Sequence, residues 1–333
     1  MTRKLSGQLI YAAVVGLVCL AAIGYAVHDR WIASPLAAQQ ARGPLRLDQI
    51  PFDGAAAYKD LQQICQLGPR PAGSPAMTRQ QQMLIERFEK LGAKVERQEF
   101  RARHPRDGSA VMLANLIVHW PPERKSRVLV AAHYDTRPYP DRDPRNPRGT
   151  FVGANDGASG VAVLLELGRY MPALLGESAA TKGVDFVLFD GEELVFNDPP
   201  DAYFLGSTHF AQQYISQPPA YRYSSGVLLD MVGDTDLRIL VEANSQQFAP
   251  TVTGDVFAIA QRLGVREFIY QRGPQVNDDH MPLNQIARIP TCDVIDFDYP
   301  HWHTEQDRPT RCSPLSLAKV GWVVLEWLKF ATK

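Results

Sequence analysis

The chain has 333 residues, of which 45% are hydrophobic and 21% are charged, so it can bury one large core or two ordinary ones and is not disordered. Its 35 basic and 36 acidic residues leave a net charge of -1, which gives no electrostatic footprint for nucleic acid or an anionic surface. We therefore expect no nucleic-acid partner.

An apolar segment near the N-terminus is the clearest targeting signal. Arg3 and Lys4 precede residues 9–27, an uncharged stretch about long enough to cross a bilayer as a helix, which takes ~20 residues. Because basic residues favour the cytoplasmic side, we expect residues 1–8 in the cytoplasm and residues 9–27 as a transmembrane anchor. The rest of the chain would then be periplasmic or extracellular. The alternative is a cleaved signal segment, which would make the protein secreted.

Residues 28–49 are rich in Ala, Gln, Arg and Pro without a sustained period, which indicates a linker, and one folded domain is predicted over residues 50–333. Amphipathic patterns predict helices at 55–66, 75–91, 159–170, 207–214, 251–263 and 314–330. Apolar β-branched runs predict strands at 114–118, 127–132, 184–189, 226–229, 238–241 and 292–297. This alternation predicts an α/β fold with a mostly parallel central sheet and helices on both faces.

The cysteines indicate packing and not a metal site. Cys19 lies in the apolar segment, which leaves Cys65, Cys292 and Cys312, with Cys292 and Cys312 as the candidate pair for a single disulfide. None has the CxxC spacing of a cysteine zinc site.

Polar residues follow the predicted strands where sites of α/β folds form, outside the carboxyl ends of the strands. His133 follows the strand at 127–132, Glu192 and Glu193 follow the strand at 184–189, and Asp230 follows the strand at 226–229. The last strand leads to a loop that holds His303. Adjacent glutamates repel each other and have no evident packing purpose, so we interpret Glu192 and Glu193 as functional.

Two further acidic motifs add candidate residues. Asp156 lies among glycines just before a predicted helix, where the backbone can turn tightly and the helix N-terminus favours an anion. Asp278-Asp279-His280 follows later in the chain, although paired acids are also common in polar loops. Carboxylates and imidazoles are zinc ligands, and a neighbouring carboxylate can move protons during a reaction on a carbonyl.

These motifs together resemble a known family. The chain is similar to the M28 zinc aminopeptidase superfamily in His133-Tyr-Asp, Asn155-Asp156-Gly-Ala-Ser-Gly, Asp190-Gly-Glu192-Glu193, Leu229-Asp230 and His303-Thr304. It resembles the glutaminyl cyclase branch, the glutaminyl-peptide cyclotransferases, in Phe151-Val-Gly-Ala, Asp278-Asp279-His280-Met-Pro-Leu and Trp302-His303-Thr304. The resemblance covers essentially all of residues 50–333 and implies a three-layer sandwich fold.

The cyclase resemblance implies one zinc ion per chain, held by Asp156, Glu193 and His303, with a fourth position for the substrate. Glu192 would be the general acid/base. The implied reaction converts the N-terminal glutamine of a peptide or protein to pyroglutamate and releases ammonia. The expected partners are therefore peptides or proteins with a free N-terminus.

Three further residues receive roles from the same resemblance. Asp278 would share hydrogen bonds with Glu192 and Asp230, and Trp302 would form a wall of the substrate pocket. Four loop aromatics are additional candidates for the mouth of that pocket: Phe151, Phe196, Tyr203 and Phe204.

The aminopeptidases of the superfamily offer a second interpretation. There His133 and Asp230 would bind a second zinc, Asp156 would bridge the two ions, and Glu192 would activate a water that cleaves the first peptide bond. Asn155 to Gly160 resembles the peptidases more closely than the animal cyclases. The loop after Glu193 lacks the tryptophan of the animal cyclases, and Ala132 replaces their cysteine.

A third interpretation is an inactive, membrane-anchored binding domain. It predicts that some of the site residues are lost, whereas every expected ligand is present in this sequence.

Overall fold

A six-stranded sheet forms the centre of the computed structural model, which describes residues 43–197 and 199–333. In chain order the eight strands of the described residues are β1 Lys94–Arg103, β2 Ala110–Trp120, β3 Ser126–His133, β4 Gly183–Phe189, β5 Arg222–Asp230, β6 Ile239–Val241, β7 Phe268–Arg272 and β8 Thr291–Ile295. The central sheet has the order β1-β2-β4-β3-β5-β8. Its pairings β4/β3, β3/β5 and β5/β8 are parallel, whereas β1/β2 and β2/β4 are antiparallel, so the predicted mostly parallel sheet is a mixed one.

The antiparallel edge is the part of the sheet that the sequence did not predict. The predicted strand at 114–118 covers only part of the buried stretch of β2, which runs from Leu113 to Trp120. Strand β1 escaped prediction because its side chains are mainly charged and exposed, and Phe100 is its one buried residue. A charged edge strand of this kind limits pairing with other chains.

Helices cover both faces of the sheet. In chain order they are α1 Gly54–Cys65, α2 Pro75–Lys90, α3 Ala158–Gly176, α4 Leu205–Ser216, α5 Ala243–Phe248, α6 Pro250–Leu263, α7 His280–Gln285 and α8 Pro314–Ala331. Helices α1, α3 and α8 pack together on one face, and α4 and α7 pack together on the other. The second face is filled by apolar side chains that include Phe189, Phe210 and Leu283. Successive side chains of each strand therefore point to opposite faces of the sheet and pack against different helix layers.

The helix starts follow capping rules. Asp53 caps α1 by accepting a hydrogen bond from the backbone N–H of Ala56, and Ser74 caps α2 in the same way ahead of Pro75. Within the described part of the chain, α3 alone is long and apolar enough to cross a membrane, but 78% of its apolar window is buried in the protein. It is the central core helix. The anchor predicted at residues 9–27 lies outside the described residues.

Two predictions from the sequence are wrong at the level of tertiary structure. The strand predicted at 238–241 does not join the central sheet, because β6 pairs with β7 in a separate two-stranded sheet. The guessed disulfide between Cys292 and Cys312 is absent: both are free, buried thiols, as is Cys65. The compact unit begins at Arg46, so residues 46–49 of the predicted linker belong to it.

A buried ion network joins the strands at the ends where β3 and β4 begin. Asp185 on β4 accepts hydrogen bonds from Arg127 Nε at 2.9 Å and from the Tyr223 hydroxyl at 2.5 Å, and lies 2.9 Å from His119 Nδ1. Neighbouring strands β2, β4, β3 and β5 each contribute one of these residues. Because every buried charge here has a partner, this end of the sheet is a rigid base for the opposite end.

Candidate active site

The carboxyl ends of the parallel strands bring the predicted site residues together. Strand β3 ends at His133, β5 ends at Asp230, and Glu192 and Glu193 follow the end of β4. Asp156 enters the same region from the turn before α3. That turn requires glycine at 157, since its φ is +88° and a Cβ there would lie 2.8 Å from the carbonyl oxygen of Asp135.

Asp156, Glu193 and His303 form a cluster that suits a divalent cation. One ligand atom from each lies within 4.8 Å of the other two. His303 Nε2 is 3.0 Å from Glu193 Oε1 and 3.5 Å from Asp156 Oδ2. Asp156 Oδ2, Glu193 Oε2 and His303 Nε2 are buried and have no hydrogen-bond partner. Buried polar atoms are rarely left unsatisfied, and two carboxylates with one imidazole are a zinc donor set, so these residues fit the metal.

The loop after β8 carries His303 in an unusual backbone conformation. His303 has a φ of +56°, which non-glycine residues seldom adopt and which occurs mainly where surrounding contacts enforce it. Its carbonyl oxygen accepts a hydrogen bond from the backbone N–H of Arg142. Nearby, the buried carboxylate of Asp307 accepts hydrogen bonds from the backbone N–H groups of Asn155 and Asp156, at 2.8 and 3.1 Å. Asp307, which the sequence analysis missed, therefore fixes Asp156 to the loop that carries His303.

Burial and neighbouring charges give the three residues of the cluster different pKa values. Burial raises the pKa of Asp156, and the neighbouring charge of Glu193 raises it further, to about 7. For Glu193 burial also favours the neutral form, but His303 and Arg137 outweigh it and lower the pKa to about 2. Burial lowers the pKa of His303, whereas Glu193 and Asp141 raise it, with a net result of about 9.

Glu192 lies beside this cluster and faces the cavity. One carboxylate, Asp135, accepts hydrogen bonds from the backbone N–H groups of both Glu192 and Glu193, at 3.2 and 3.0 Å. This clamp fixes the turn that directs the two neighbouring side chains. Burial and then the charge of Glu193 raise the pKa of Glu192 well above its usual value. A carboxyl group with a raised pKa suits a general acid/base.

His133 forms a second group with Asp156 and Asp230. Its Nε2 lies 3.2 Å from Asp156 Oδ1 and 3.1 Å from Asp230 Oδ1, and the three residues offer ligand atoms within 4.8 Å of one another. Here His133 Nε2 and Asp230 Oδ1 are already joined by a hydrogen bond, unlike the unpartnered atoms of the first cluster.

The motif at residues 278–280 has a different role for each of its residues. Asp278 lines the cavity, its Oδ2 has no hydrogen-bond partner, and burial together with Asp230 raises its pKa to about 7. Asp279 accepts a hydrogen bond from the Ser207 hydroxyl at 2.5 Å, so it joins α4 to the motif. His280 lies between Glu242, at 3.3 Å, and Asp293, at 3.7 Å. No local pattern in the sequence indicated Glu242 or Asp293.

A cavity of about 380 Å³ opens beside Glu192 and the three clustered ligands. Trp302 forms one of its walls, with its ring centre 4.3 Å from that of His303 and 5.1 Å from that of Phe297. Of the four candidate mouth aromatics, Tyr203 and Phe204 line this cavity. Phe151 is instead buried against the His303 ring, and Phe196 packs against an apolar cluster that contains Phe100.

Comparisons with known proteins agree with this geometry. The model of peptidase family M28 matches residues 115–328. The glutaminyl-peptide cyclotransferase of Bos taurus is 28% identical over 273 residues, which are 72% of this chain and 72% of the relative. The crystal structure of the glutaminyl cyclase of Fimbriiglobus ruber has 41% identity and a TM-score of 0.79, over 84% of this chain and 95% of that one. A leucine aminopeptidase precursor from Bacteroides thetaiotaomicron has 33% identity and a TM-score of 0.75, over 84% and 97% of the two chains. The chain belongs to peptidase family M28, within the branch of the glutaminyl cyclases.

Proposed function

We propose that this protein is a glutaminyl-peptide cyclotransferase, which converts the N-terminal glutamine of peptides to pyroglutamate and releases ammonia. The observation that carries the proposal is the convergence of Asp156, Glu193 and His303, each of which has a buried ligand atom without a hydrogen-bond partner, next to the buried carboxyl group of Glu192. The proteins that share this fold and between 28 and 41% of its sequence include glutaminyl cyclases from an animal and a bacterium.

Glu192 is the group that moves the proton in this proposal. Zinc, when bound by Asp156, Glu193 and His303, would polarise the side-chain amide carbonyl of the substrate glutamine. The α-amine of the peptide attacks that amide carbon, and a new C–N bond closes the ring as the bond to the amide nitrogen breaks. Glu192 takes one proton from the attacking amine and gives one to the leaving nitrogen, which departs as ammonia. The reaction needs no water, and the nucleophile is already tethered to the reacting amide.

The cavity suits one amino-acid residue with a free amine. Its acidic residues, Glu192, Asp230 and Asp278, offer oxygens that can accept hydrogen bonds from the N-terminal amine of a peptide. Asp278 has an unpartnered oxygen, which we propose shares a proton with Glu192 or Asp230. Trp302 presents an aromatic wall for the aliphatic part of the glutamine side chain.

The test is direct. The purified protein is incubated with a peptide that begins with glutamine and a matched peptide that begins with leucine, and both are followed by mass spectrometry and ammonia release. We expect the glutamine peptide to lose one ammonia and the leucine peptide to stay intact. Removal of the first residue from either peptide, without ammonia release, would contradict the proposal.

The second candidate function is a two-zinc aminopeptidase, which the arrangement of His133, Asp156 and Asp230 favours. One zinc is our proposal, because the resemblance to the glutaminyl cyclases implies a single ion. Rapid cleavage of leucine anilides, with two zinc ions per chain, would reverse the ranking.

We further propose that the N-terminal segment at residues 9–27 anchors the enzyme, with residues 50–333 as a catalytic domain outside the cytoplasm. The basic residues Arg3 and Lys4 and the length of the apolar stretch support this orientation. Carbonate extraction of membranes and protease protection of intact cells test it. Release of the whole enzyme into the medium would indicate a cleaved signal segment instead.

A further inference from the structure

Arg137 is a buried arginine at the active site to which the proposed reaction gives no role. It lies in the loop after β3, and its side chain is only 2% exposed. Its guanidinium donates to Glu193 Oε1 at 3.1 Å through one terminal nitrogen, and to Asp141 Oδ2 at 2.8 Å and the Tyr203 hydroxyl at 3.1 Å through the other. A buried cation with three oriented acceptors is held in one geometry.

These contacts close a ring around two of the proposed zinc ligands. Asp141 Oδ1 lies 3.2 Å from His303 Nδ1, and His303 Nε2 lies 3.0 Å from Glu193 Oε1. The ring therefore runs Glu193, Arg137, Asp141, His303 and back to Glu193. The Asp141 carboxylate faces Nδ1 at ion-pair distance, outside hydrogen-bond geometry, and its charge favours the tautomer that carries the proton on Nδ1 and leaves Nε2 free to bind a metal. Carboxylate partners of metal-binding histidines raise metal affinity.

The same guanidinium reaches the wall of the substrate cavity. Tyr203 lines the cavity, and besides the hydrogen bond its ring centre lies 5.5 Å from the carbon of the Arg137 guanidinium. A lysine could not replace this arrangement, since its single ammonium lacks the planar fork that serves separate acceptors. Arg137 thus joins a metal ligand on one side to a substrate-contacting wall on the other.

We infer that Arg137 is a positioning residue that holds Glu193 and Tyr203 in a fixed relation, and so sets both zinc retention and affinity for the peptide substrate. This inference rests on the proposed function. On the side of the zinc site, Arg137 acts on His303 through Asp141. On the side of the substrate cavity, it acts through Tyr203.

The experiment compares Arg137→Lys and Arg137→Gln with the unaltered protein in two independent measurements. The first is the zinc dissociation constant, from competition with a coloured chelator, and the second is KM and kcat for a glutamine peptide at saturating zinc. We expect zinc affinity to fall ~10- to 100-fold in both variants. KM should rise several-fold, while kcat changes less than in Glu192→Gln.

Two further variants each remove one partner of Arg137, so they test its effect on zinc binding and its effect on substrate binding separately. Asp141→Asn should weaken zinc binding and leave KM nearly unchanged, whereas Tyr203→Phe should raise KM and leave zinc affinity unchanged. The matched control is Arg127→Lys, which alters a buried arginine paired with Asp185 at the opposite end of β3. It should lower thermal stability without moving zinc affinity or KM.

The inference is overturned if Arg137→Gln binds zinc and substrate as the unaltered protein does. If Arg137→Gln fails to fold, Asp141→Asn and Tyr203→Phe decide: unchanged zinc affinity in the first and unchanged KM in the second also overturn it. Failure of the proposed function has a different signature, because the unaltered protein would then release no ammonia from glutamine peptides, while the zinc measurements would still report on Arg137.

Discussion

Two residues adjacent in the chain, Glu192 and Glu193, have opposite electrostatic surroundings in the folded protein. Glu193 faces His303 and Arg137, which favour its ionised form, whereas Glu192 is buried next to other acids, which raises its pKa. The difference arises because Asp135 clamps both backbone amides and the two side chains then leave the turn toward different neighbours. Like side chains can therefore serve as metal ligand and proton carrier side by side.

We predict that Glu192→Gln lowers kcat by ~10²- to 10⁴-fold with little loss of bound zinc, because the amide cannot accept the proton. Glu193→Gln should instead lose zinc, since it removes a charged ligand. Single-turnover ammonia release and metal analysis of both purified variants check this pair. Equal zinc loss in the two variants would show that the glutamates are not divided between these roles.

Asp278→Asn tests the proton network beside Glu192. Because burial and Asp230 raise the pKa of Asp278 to about 7, its carboxyl group can hold a proton near neutral pH. The amide cannot share that proton, so we expect kcat to fall at least ~10-fold while zinc content stays at the level of the unaltered protein. The matched substitution Asp279→Asn removes the acceptor of the Ser207 hydroxyl and should act mainly on stability. Unchanged turnover in Asp278→Asn would refute the role of Asp278.

At the scale of elements, the two ends of the parallel strands differ in how their buried charges are satisfied. Where β3 and β4 begin, Asp185 is surrounded by Arg127, His119 and Tyr223, and its charge is fully paired. Where they end, buried ligand atoms of Asp156, Glu193 and His303 lack partners. The paired end stabilises the sheet, and the unpaired atoms at the other end are available to bind a ligand.

His119, which lies at the end of the sheet where the buried charges are paired, should make the stability of the protein depend on pH. Burial lowers the pKa of His119, but hydrogen bonds to Asp185 and Glu96 outweigh it and raise the pKa to about 9, from 6.5. Since the folded pKa is the higher one, this contribution is fully present below about pH 6.5 and is lost as pH rises through 9. We expect His119→Asn to lower the free energy of unfolding by about 2–3 kcal/mol more at pH 6 than at pH 10.

Urea unfolding of His119→Asn and the unaltered protein at both pH values measures this difference. His104→Asn, in the turn between β1 and β2, is the control and should lose little stability at either pH. An equal loss for His119→Asn at pH 6 and pH 10 would mean that the histidine contributes by packing and not by its charge.

At the scale of the whole molecule, the sequence predicted the elements that have a clear period and the clustering of candidate site residues at strand ends. His133, Glu192 and Asp230 could be placed because polar residues follow apolar runs, and parallel strands end at one edge of a sheet. Strand β1 could not be predicted, since its exposed, charged side chains show no apolar alternation. Arg137 and Asp141 lie in an irregular loop, and Asp293 sits inside a buried strand, so their contacts depend on tertiary packing that no local pattern encodes.

The number of zinc ions is a property of the whole folded chain. If only Asp156, Glu193 and His303 bind the metal, the protein should contain one zinc per chain, His303→Ala should contain almost none, and His133→Ala should keep one. The two-zinc peptidase predicts two ions in the unaltered protein and one in His133→Ala, so elemental analysis of the three proteins separates the interpretations. Because zinc binds the folded chain, it raises the stability of that chain. Chelation should therefore lower Tm by about 5–10 °C when the free zinc concentration before chelation was ~1,000 times the zinc Kd. His303→Ala should show no such shift in Tm. Without the imidazole, the mutually repelling carboxylates of Asp156 and Glu193 cannot retain the ion, so chelation has no bound zinc to remove.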